Sequence, residues 1–212
     1  MLSTTPRTTL GREKQRGSTD RNDLYDVLDT GLVCHLGVVV NGCPMVVPTG
    51  YGRIGDTLYL HGSTGASSLR AADGAEVCVT VTHLDGVVLA RSIFHHSVNY
   101  RSAIVYGRAR LVTDPDERLA GLRALSEQLA PGQWDYVRLP SRKELAATAV
   151  LALSLEEASV KTRRGEPKDD EEDYALPVWA GVLPLVTAWG EPEPDSVLPE
   201  GIETPVHILH RE

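Results

Sequence analysis

Hydrophobic and polar residues alternate with a period of two along much of the first half of the chain, which is typical of half-buried β-strands. Two such runs, residues 32–40 and 43–51, flank Asn41 and Gly42, the dipeptide that most strongly favours a two-residue β-hairpin turn. A third run covers residues 57–61. The pattern therefore predicts an antiparallel meander of three strands at the start of the fold.

Further alternating runs predict strands in the rest of the chain. They cover residues 76–82, 87–93, 101–112, 148–160 and 174–186. The four residues between the first two of these runs, His83 to Gly86, end in Asp-Gly and are predicted to form a turn. Most of these strands are therefore expected to be joined by hairpins.

Segments with helical spacing accompany these strands. Leu24, Val27 and Leu28 are spaced i, i+3, i+4 between a Ser/Thr/Asp cluster and Gly31, which predicts a short amphipathic helix. The same signals predict a helix that ends at Asp73, one from Pro115 to Pro131 and one over residues 141–147. Short hairpin-joined strands with peripheral helices predict a mainly β fold, a Greek-key or meander barrel rather than a doubly wound sheet.

Length and composition suggest one domain with two appendages. At 212 residues, of which 42% are hydrophobic, the chain can bury one good core. Residues 1–17 lack periodicity and are predicted to be a flexible arm, either disordered or draped over a partner subunit. The Pro-rich residues 191–212 are predicted to be an extended tail. Residues 18–190 form the predicted domain, in which the charged run 163–173 is expected to be a mobile loop.

Charge and hydropathy argue against several classes of partner. A net charge of -8 without a basic tract argues against binding of nucleic acid or an anionic membrane. No apolar run approaches the ~20 residues of a transmembrane helix and no secretory signal begins the chain, so a cytoplasmic protein is expected. Cys34, Cys43 and Cys78 lack metal-ligand spacing, so free thiols and no metal site are expected.

Two segments are rich in groups that could hold a polar ligand. Residues 91–102 contain two imidazoles, an amide, hydroxyls, a phenol and guanidinium groups, more than a strand connection requires. Residues 62–72 lead from Gly, Ser and Thr into a helix, where backbone N–H groups and hydroxyls could accept a phosphate. The second segment also fits ordinary helix capping by Ser or Thr.

Several common catalytic signatures do not occur in the chain. It contains no Gly-x-Gly-x-x-Gly, no Walker sequence, no Gly-x-Ser-x-Gly and no His-Glu-x-x-His. The sequence therefore does not support a Rossmann dinucleotide fold, a P-loop hydrolase, a serine esterase or a zincin.

Five segments in a fixed order resemble a known family. They are Leu-Val-Cys-His-Leu-Gly (32–37), Pro-Met-Val-Val-Pro-Thr-Gly-Tyr-Gly (44–52), Asp-Thr-Leu-Tyr-Leu-His-Gly-Ser (56–63), Phe-His-His-Ser-Val-Asn-Tyr-Arg-Ser (94–102) with Gly-Arg-Ala (107–109), and Pro-Val-Trp-Ala-Gly-Val-Leu-Pro-Leu (177–185). Through them the chain resembles the pyridoxamine 5′-phosphate oxidase-like FMN-binding split barrels, in the flavin-nucleotide-binding branch near the nitroimidazole-resistance proteins. The resemblance covers about residues 20–185.

The resemblance implies a six-stranded antiparallel Greek-key split barrel that forms a homodimer with FMN at the interface. Val47, Pro48 and Thr49 match the strand whose backbone lies along the flavin ring in the family. The other cofactor-binding residues that it implies are His61, Gly62 and Ser63 for the ribityl chain and phosphate, Ser67 and Ser68 for the phosphate, Asn99, Arg101 and Ser102 near the flavin edge, and Trp179, expected from the other subunit.

One segment departs from the family pattern. Family members usually carry an Arg or Lys at the helix start that neutralises the phosphate, whereas this chain has Ala66-Ser67-Ser68. Arg70, three residues beyond Ser67, and Arg101 are the candidate replacements. Weaker FMN retention is expected unless one of them compensates, because a lost charge-assisted hydrogen bond costs about 1.5–3 kcal/mol.

Three functions remain open from the sequence. The first is an FMN-dependent oxidoreductase acting on a small nitroaromatic or pyridoxal-like molecule, in which the flavin carries the redox step and His96 is the candidate proton donor. The second is a flavin-, deazaflavin- or haem-binding protein of the same fold, with His61 or His96 as the iron ligand. The third is a dimeric scaffold that has lost its cofactor.

Overall fold

The computed structural model describes residues 1–211, and ten antiparallel strands form its framework. The strands are β1 (Gly17–Ser18), β2 (Val33–Val40), β3 (Cys43–Ile54), β4 (Thr57–Ser63), β5 (Glu76–Leu89), β6 (Ser97–Arg108), β7 (Arg110–Leu111), β8 (Thr148–Ser154), β9 (Glu157–Arg163) and β10 (Gly181–Pro184). Their order across the sheet is β1-β9-β6-β5-β2-β3-β4-β8-β7, and β10 pairs with β5.

Six helices surround the sheet. They are α1 (Arg21–Thr30), α2 (Ser67–Ala72), α3 (Pro115–Leu129), α4 (Gln133–Tyr136), α5 (Arg142–Ala147) and α6 (Val206–Leu209). Side chains cap three of them as the sequence predicts: Asp20 accepts a hydrogen bond from the backbone of Asn22, Asp114 from that of Glu117, and Ser141 begins a capping box. The predicted helices are therefore confirmed.

Strand β3 is the corner of the fold. Its residues 43–50 pair with β2, and its residues 51–54 pair with β4. Asn41 and Gly42, with φ of 51° and 78°, form the predicted turn between β2 and β3. One strand thus belongs to two parts of the sheet, which curves around a shared core.

The core lies between the sheet and the helices. All five residues from Ala149 to Leu153 in β8 are buried, as is Tyr51 in β3. Helix α3 crosses β3 so closely that a Cβ atom on Gly52 would lie 2.4 Å from the carbonyl carbon of Ala124. Only glycine permits this contact, which fixes α3 against the second half of β3.

The prediction of six strands is wrong, since the described residues form ten, and the predicted boundaries within β5 are wrong as well. The predicted turn at His83 to Gly86 is not a turn, because β5 continues through it and pairs with β6. The register shifts between Leu84 and Gly86, so the Asp-Gly pair is absorbed in a β-bulge. Arg101 on β6 donates hydrogen bonds to Asp85 at 3.0 and 2.9 Å, which anchors the bulge to the neighbouring strand.

Three other strand boundaries also differ from the prediction. The run 101–112 is divided into β6, which already begins at Ser97, and β7. The run 148–160 is not one strand but two, β8 and β9, which are separated by Leu155 and Glu156 and pair with different neighbours, β8 with β4 and β9 with β6. The predicted strand 174–186 is reduced to the four residues of β10. Alternation of side chains does not reveal these breaks, because it reports which face of a sheet a residue occupies and not which strand it pairs with.

The N-terminal segment lies along the sheet. Leu2 is buried, and its backbone N–H donates to Thr19 at 2.8 Å. Arg7 forms ion pairs with Glu76 and with Glu157. The segment predicted to be a loose arm therefore makes specific contacts with β5 and β9.

Candidate cofactor site

The sheet opens between β3 and β4. Tyr51 pairs with Leu60, but beyond this pair β4 continues along β8, while β3 continues along β2. Within residues 1–211, the edge of β3 that faces away from β2 therefore has no strand partner over residues 43–50. Val47, Pro48 and Thr49, for which the sequence predicts contact with a flavin ring, lie on this segment. Pro48 has no N–H, and successive residues of a strand direct their backbone groups to opposite edges, so only part of the backbone groups of residues 47–49 face the opening.

His61 stands at the mouth of the opening and faces a pocket of about 400 Å³. The pocket is lined by Leu122, Trp134, Arg138, Pro140, Glu144, Leu145 and Thr148. The Nδ1 atom of His61 is shielded from solvent and has no hydrogen-bond partner in the described part of the chain. Burial lowers the pKa of the His61 imidazole, so the ring is neutral at pH 7 and keeps a lone pair free.

The start of α2 lies beside the opening and is not capped by any side chain of residues 1–211. Ala66 occupies the N-cap position, so capping by Ser or Thr, the alternative explanation of this segment, is not observed. Ser63 instead accepts a hydrogen bond from the backbone of Gly65, and Ser67 is exposed. These hydroxyls and the first N–H groups of α2 remain free to meet an anion.

The two candidate cations have different environments. Arg101 is held by Asp85 on the neighbouring strand, and this contact lowers the pKa of the Asp85 carboxyl. Arg70 on α2 makes no side-chain hydrogen bond or ion pair with the described residues, and it lines a second pocket of about 430 Å³ together with Arg118 and Thr113. Arg70 is therefore the candidate that is free to act near the start of α2.

Much of the polar stretch 91–102 is used within the fold. Asn99 is buried, donates from Nδ2 to the Gly165 carbonyl at 3.1 Å and accepts from Arg163. Ser102 donates to the carbonyl of Lys161. His96 is exposed, with Nδ1 3.3 Å from the Ile93 carbonyl oxygen. This stretch thus organises β6 and the loop after β9, and leaves His96 accessible.

Trp179 lies apart from these groups. Trp179 is 67% exposed, and its ring lies against Gly181 at the start of β10.

The predicted site residues form two groups rather than one. Residues 47–49, 61–63 and 67–68 surround the opening, whereas Asn99, Arg101 and Ser102 lie on β6. Because β5 and β2 separate β6 from β3, the two groups are three strand spacings apart, about 14 Å.

The sequence did not identify the residues that line the His61 pocket. Leu122, Trp134 and Leu145 come from three different helices that meet only after folding. The helical spacing of Leu122 predicted that this side of the helix is buried, but it could not predict which residues lie opposite.

Residues 1–211 hold no cluster of three or more His, Cys, Asp or Glu side chains suited to a metal ion. No helix in this range is long and apolar enough to cross a membrane.

An antiparallel β-structure that opens between β3 and β4, with a free strand edge and an uncapped helix start at the opening, defines a split-barrel protein. The family model described as pyridoxamine 5′-phosphate oxidase matches residues 20–162. The chain therefore belongs to the pyridoxamine 5′-phosphate oxidase family, as its sequence motifs predict. Comparison with curated proteins finds no match.

Solved structures extend the similarity over nearly the whole chain. The flavocytochrome Anf3 from Azotobacter vinelandii is 39% identical, with a TM-score of 0.93, and 99% of this chain and 98% of that chain are covered. The FAD and heme binding protein from Mycobacterium smegmatis is 42% identical, with a TM-score of 0.87 over 92% and 96% of the two chains. A candidate 5-nitroimidazole antibiotic resistance protein from Bacteroides thetaiotaomicron, 20% identical with a TM-score of 0.58, covers 68% of this chain and 85% of its own and shares the fold.

Proposed function

We propose that this protein is a homodimeric redox protein that binds a flavin in the opening between β3 and β4 and a haem at His61. The observation that carries the proposal is the His61 side chain, a neutral imidazole with a shielded and unpaired Nδ1 in a pocket with apolar walls. Two solved structures that are similar over more than nine-tenths of this chain are described as a flavocytochrome and as a FAD and heme binding protein.

The opening suits the ring and phosphate of a flavin. Those backbone groups of residues 47–49 that point away from β2 can hydrogen-bond the polar edge of an isoalloxazine, while Ser63, Ser67 and the first N–H groups of α2 can bind a phosphate. Arg70 supplies a cation on the same helix. FMN is the flavin that the sequence predicts, and FAD contains the same phosphorylated riboflavin. The bound flavin would supply transfer of hydride or of single electrons.

The pocket at His61 has the features that a haem requires of a protein. One histidine suffices as an axial ligand, and it must be neutral to offer its lone pair. Leu122, Trp134 and Leu145 provide apolar walls for a porphyrin face. Arg138, paired with Glu144 at the rim, is a cation within reach of a propionate. His61 would bind the iron, and the surrounding side chains would exclude water from that face.

A second copy of the chain would complete the flavin site. Asn99, Arg101 and Ser102 lie on β6, three strand spacings or about 14 Å along the sheet from β3, so the sequence-based expectation that they lie near a flavin favours the flavin of a partner subunit. The β2–β3 hairpin presents an apolar surface for such a partner, since Val33, Val39 and Val46 are 49%, 58% and 66% exposed. The exposed Trp179 is then also available to the partner's cofactor.

The visible spectrum of the freshly purified protein tests this proposal. We expect flavin bands together with a Soret band, and release of the flavin by denaturation identifies it as FMN or FAD by chromatography. A yellow protein that takes up no added haem would support the simpler flavin-dependent oxidoreductase acting on a small molecule. A colourless protein that ignores both flavin and haem would refute the proposal and favour a scaffold without a cofactor.

A further inference from the structure

A cleft of about 850 Å³ lies away from the opening, between the tip of the β5–β6 hairpin and the turn after β9. Residues 94–97 form one wall, residues 162–168 form the other, and residues 13–16 of the N-terminal segment close one end. We refer to this space as the arginine cleft. Its volume falls within the range of small-molecule and cofactor sites, about 300–1,000 Å³.

Arg163 is the central cation of the arginine cleft. The guanidinium is partly buried, and no carboxylate of residues 1–211 pairs with it. It donates instead to the buried Asn99 and to the carbonyls of Gly165 and Glu166. Burial and the nearby charge of Arg16 lower the pKa of Arg163, against smaller opposing effects of Tyr100 and Glu13. A guanidinium fixed by neutral hydrogen-bond partners, without an ion pair to a carboxylate, is a preformed site for an anion.

The charges around Arg163 reinforce this interpretation. Four cations line the cleft, Arg16, Arg163, Arg164 and Lys168, against the two carboxylates of Glu13 and Glu166. Arg16 pairs with Glu13, but the side chains of Arg164 and Lys168 have no partner among the described residues. The cleft is therefore positive in a chain whose net charge is -8. Two or more negative charges on one ligand would match this excess.

An aromatic ring stands at the rim of the cleft. Phe94 is 88% exposed, and its ring and the ring of His95 form a T-shaped pair with 5.1 Å between centroids. A free aromatic face beside an anion site suits a ligand with a planar base next to its phosphates, because base stacking on such a ring is favourable.

We propose that the arginine cleft binds the adenosine diphosphate part of a dinucleotide, with the phosphates at Arg163, Arg164 and Lys168 and the adenine on Phe94. The acidic run 169–173 directly follows Lys168 and would repel a longer polyanion, which favours a small nucleotide over nucleic acid. The inference rests on the proposed redox function in one respect, because a redox protein is what makes a dinucleotide the expected ligand. That dinucleotide is either FAD, through its own adenylate half, or NAD(P)H as electron donor.

Titration of ADP into the full-length protein, freed of bound flavin by dialysis, tests the cleft directly by calorimetry. We expect saturable binding that weakens with added salt, and a loss of about tenfold in affinity in the double variant Arg164→Gln, Lys168→Gln. Arg142→Gln removes an exposed charge on α5 outside the cleft and should bind ADP like the parent. Phe94→Ala should weaken ADP several-fold and leave inorganic pyrophosphate unaffected.

The same variants distinguish the two dinucleotides. If the cleft holds the cofactor's own adenylate, the double variant loses affinity for FAD and not for FMN; if it holds the electron donor, affinity falls for NADPH or NADH and not for either flavin. The proposal is wrong if the parent does not bind ADP, if the double variant binds ADP as tightly as the parent, or if neither dinucleotide loses affinity. Because ADP binding does not depend on flavin or haem, a colourless protein that binds ADP would refute the proposed redox function alone.

Discussion

At the scale of single residues, the environment of His61 gives the protein a pH dependence with a definite sign. Burial lowers the pKa of the folded imidazole below the value of about 6.5 in an unfolded chain. Protonation therefore favours the unfolded state, and the free energy of unfolding should fall as the pH drops through about 6.5. The His61→Leu variant should lack this contribution to the fall in the free energy of unfolding, because leucine does not titrate.

Urea unfolding at pH 7.5 and pH 5.5 measures this effect. The parent should lose more stability between the two conditions than His61→Leu, while His96→Leu, which changes an exposed ring, should lose as much as the parent. Equal losses in the parent and in His61→Leu would contradict the buried, neutral state of His61.

The position of a residue in the fold was predictable where a local motif indicated it. It was not predictable where the residue's partner lies far along the chain. The His-Gly-Ser segment at 61–63 was identified from its own sequence and lies at the opening. Arg101 appeared equally available, yet it is bound to Asp85, a residue that the sequence had assigned to a turn. Arg163 was not identified, because its environment depends on the distant Asn99 and Arg16.

At the scale of elements, the contact between α3 and β3 is the most constrained in the fold. Gly52→Ala would force α3 away from β3, because the new methyl group would meet backbone atoms, which cannot rotate aside. We expect a loss of about 3 kcal/mol in the free energy of unfolding, measured by urea denaturation.

Gly50 on the same strand provides a matched control. A Cβ atom there meets nothing within 4 Å, so Gly50→Ala should change stability by less than about 1 kcal/mol. Similar losses in the two variants would show that α3 does not pack on β3 as described.

Elements with their own signals were predictable. The β2–β3 hairpin depends on Asn41-Gly42, and α1 depends on its cap and its apolar face, so local sequence suffices for both. The continuity of β5 could not be predicted, since Asp-Gly favours both turns and bulges, and the pairing of β5 with β6 decides between them.

At the scale of the whole molecule, the proposed flavin site requires a dimer. Val46→Glu introduces a charge in the apolar surface of the β2–β3 hairpin, where a partner is expected, and should convert the protein to a monomer with much weaker flavin binding. Light scattering coupled to size-exclusion chromatography measures the mass, and fluorescence quenching measures flavin affinity.

Ile54 offers a control on the same strand. It is 44% exposed but lies in the part of β3 that pairs with β4, so Ile54→Glu should remain dimeric. A parent protein that is monomeric yet binds flavin tightly would refute the two-subunit site.

The fold family was predictable from five ordered motifs. The ten-stranded sheet was not predictable, because several of its strands are short and a two-residue strand such as β1 has no periodicity of its own.

The central claim is that His61 is the ligand of a haem, and haem titration followed by its Soret absorbance tests it most directly. We predict that the parent and His96→Ala take up one haem per chain with the same spectrum, and that His61→Ala shows no ligated Soret band. A His61→Ala variant that binds haem with the spectrum and affinity of the parent would contradict the claim.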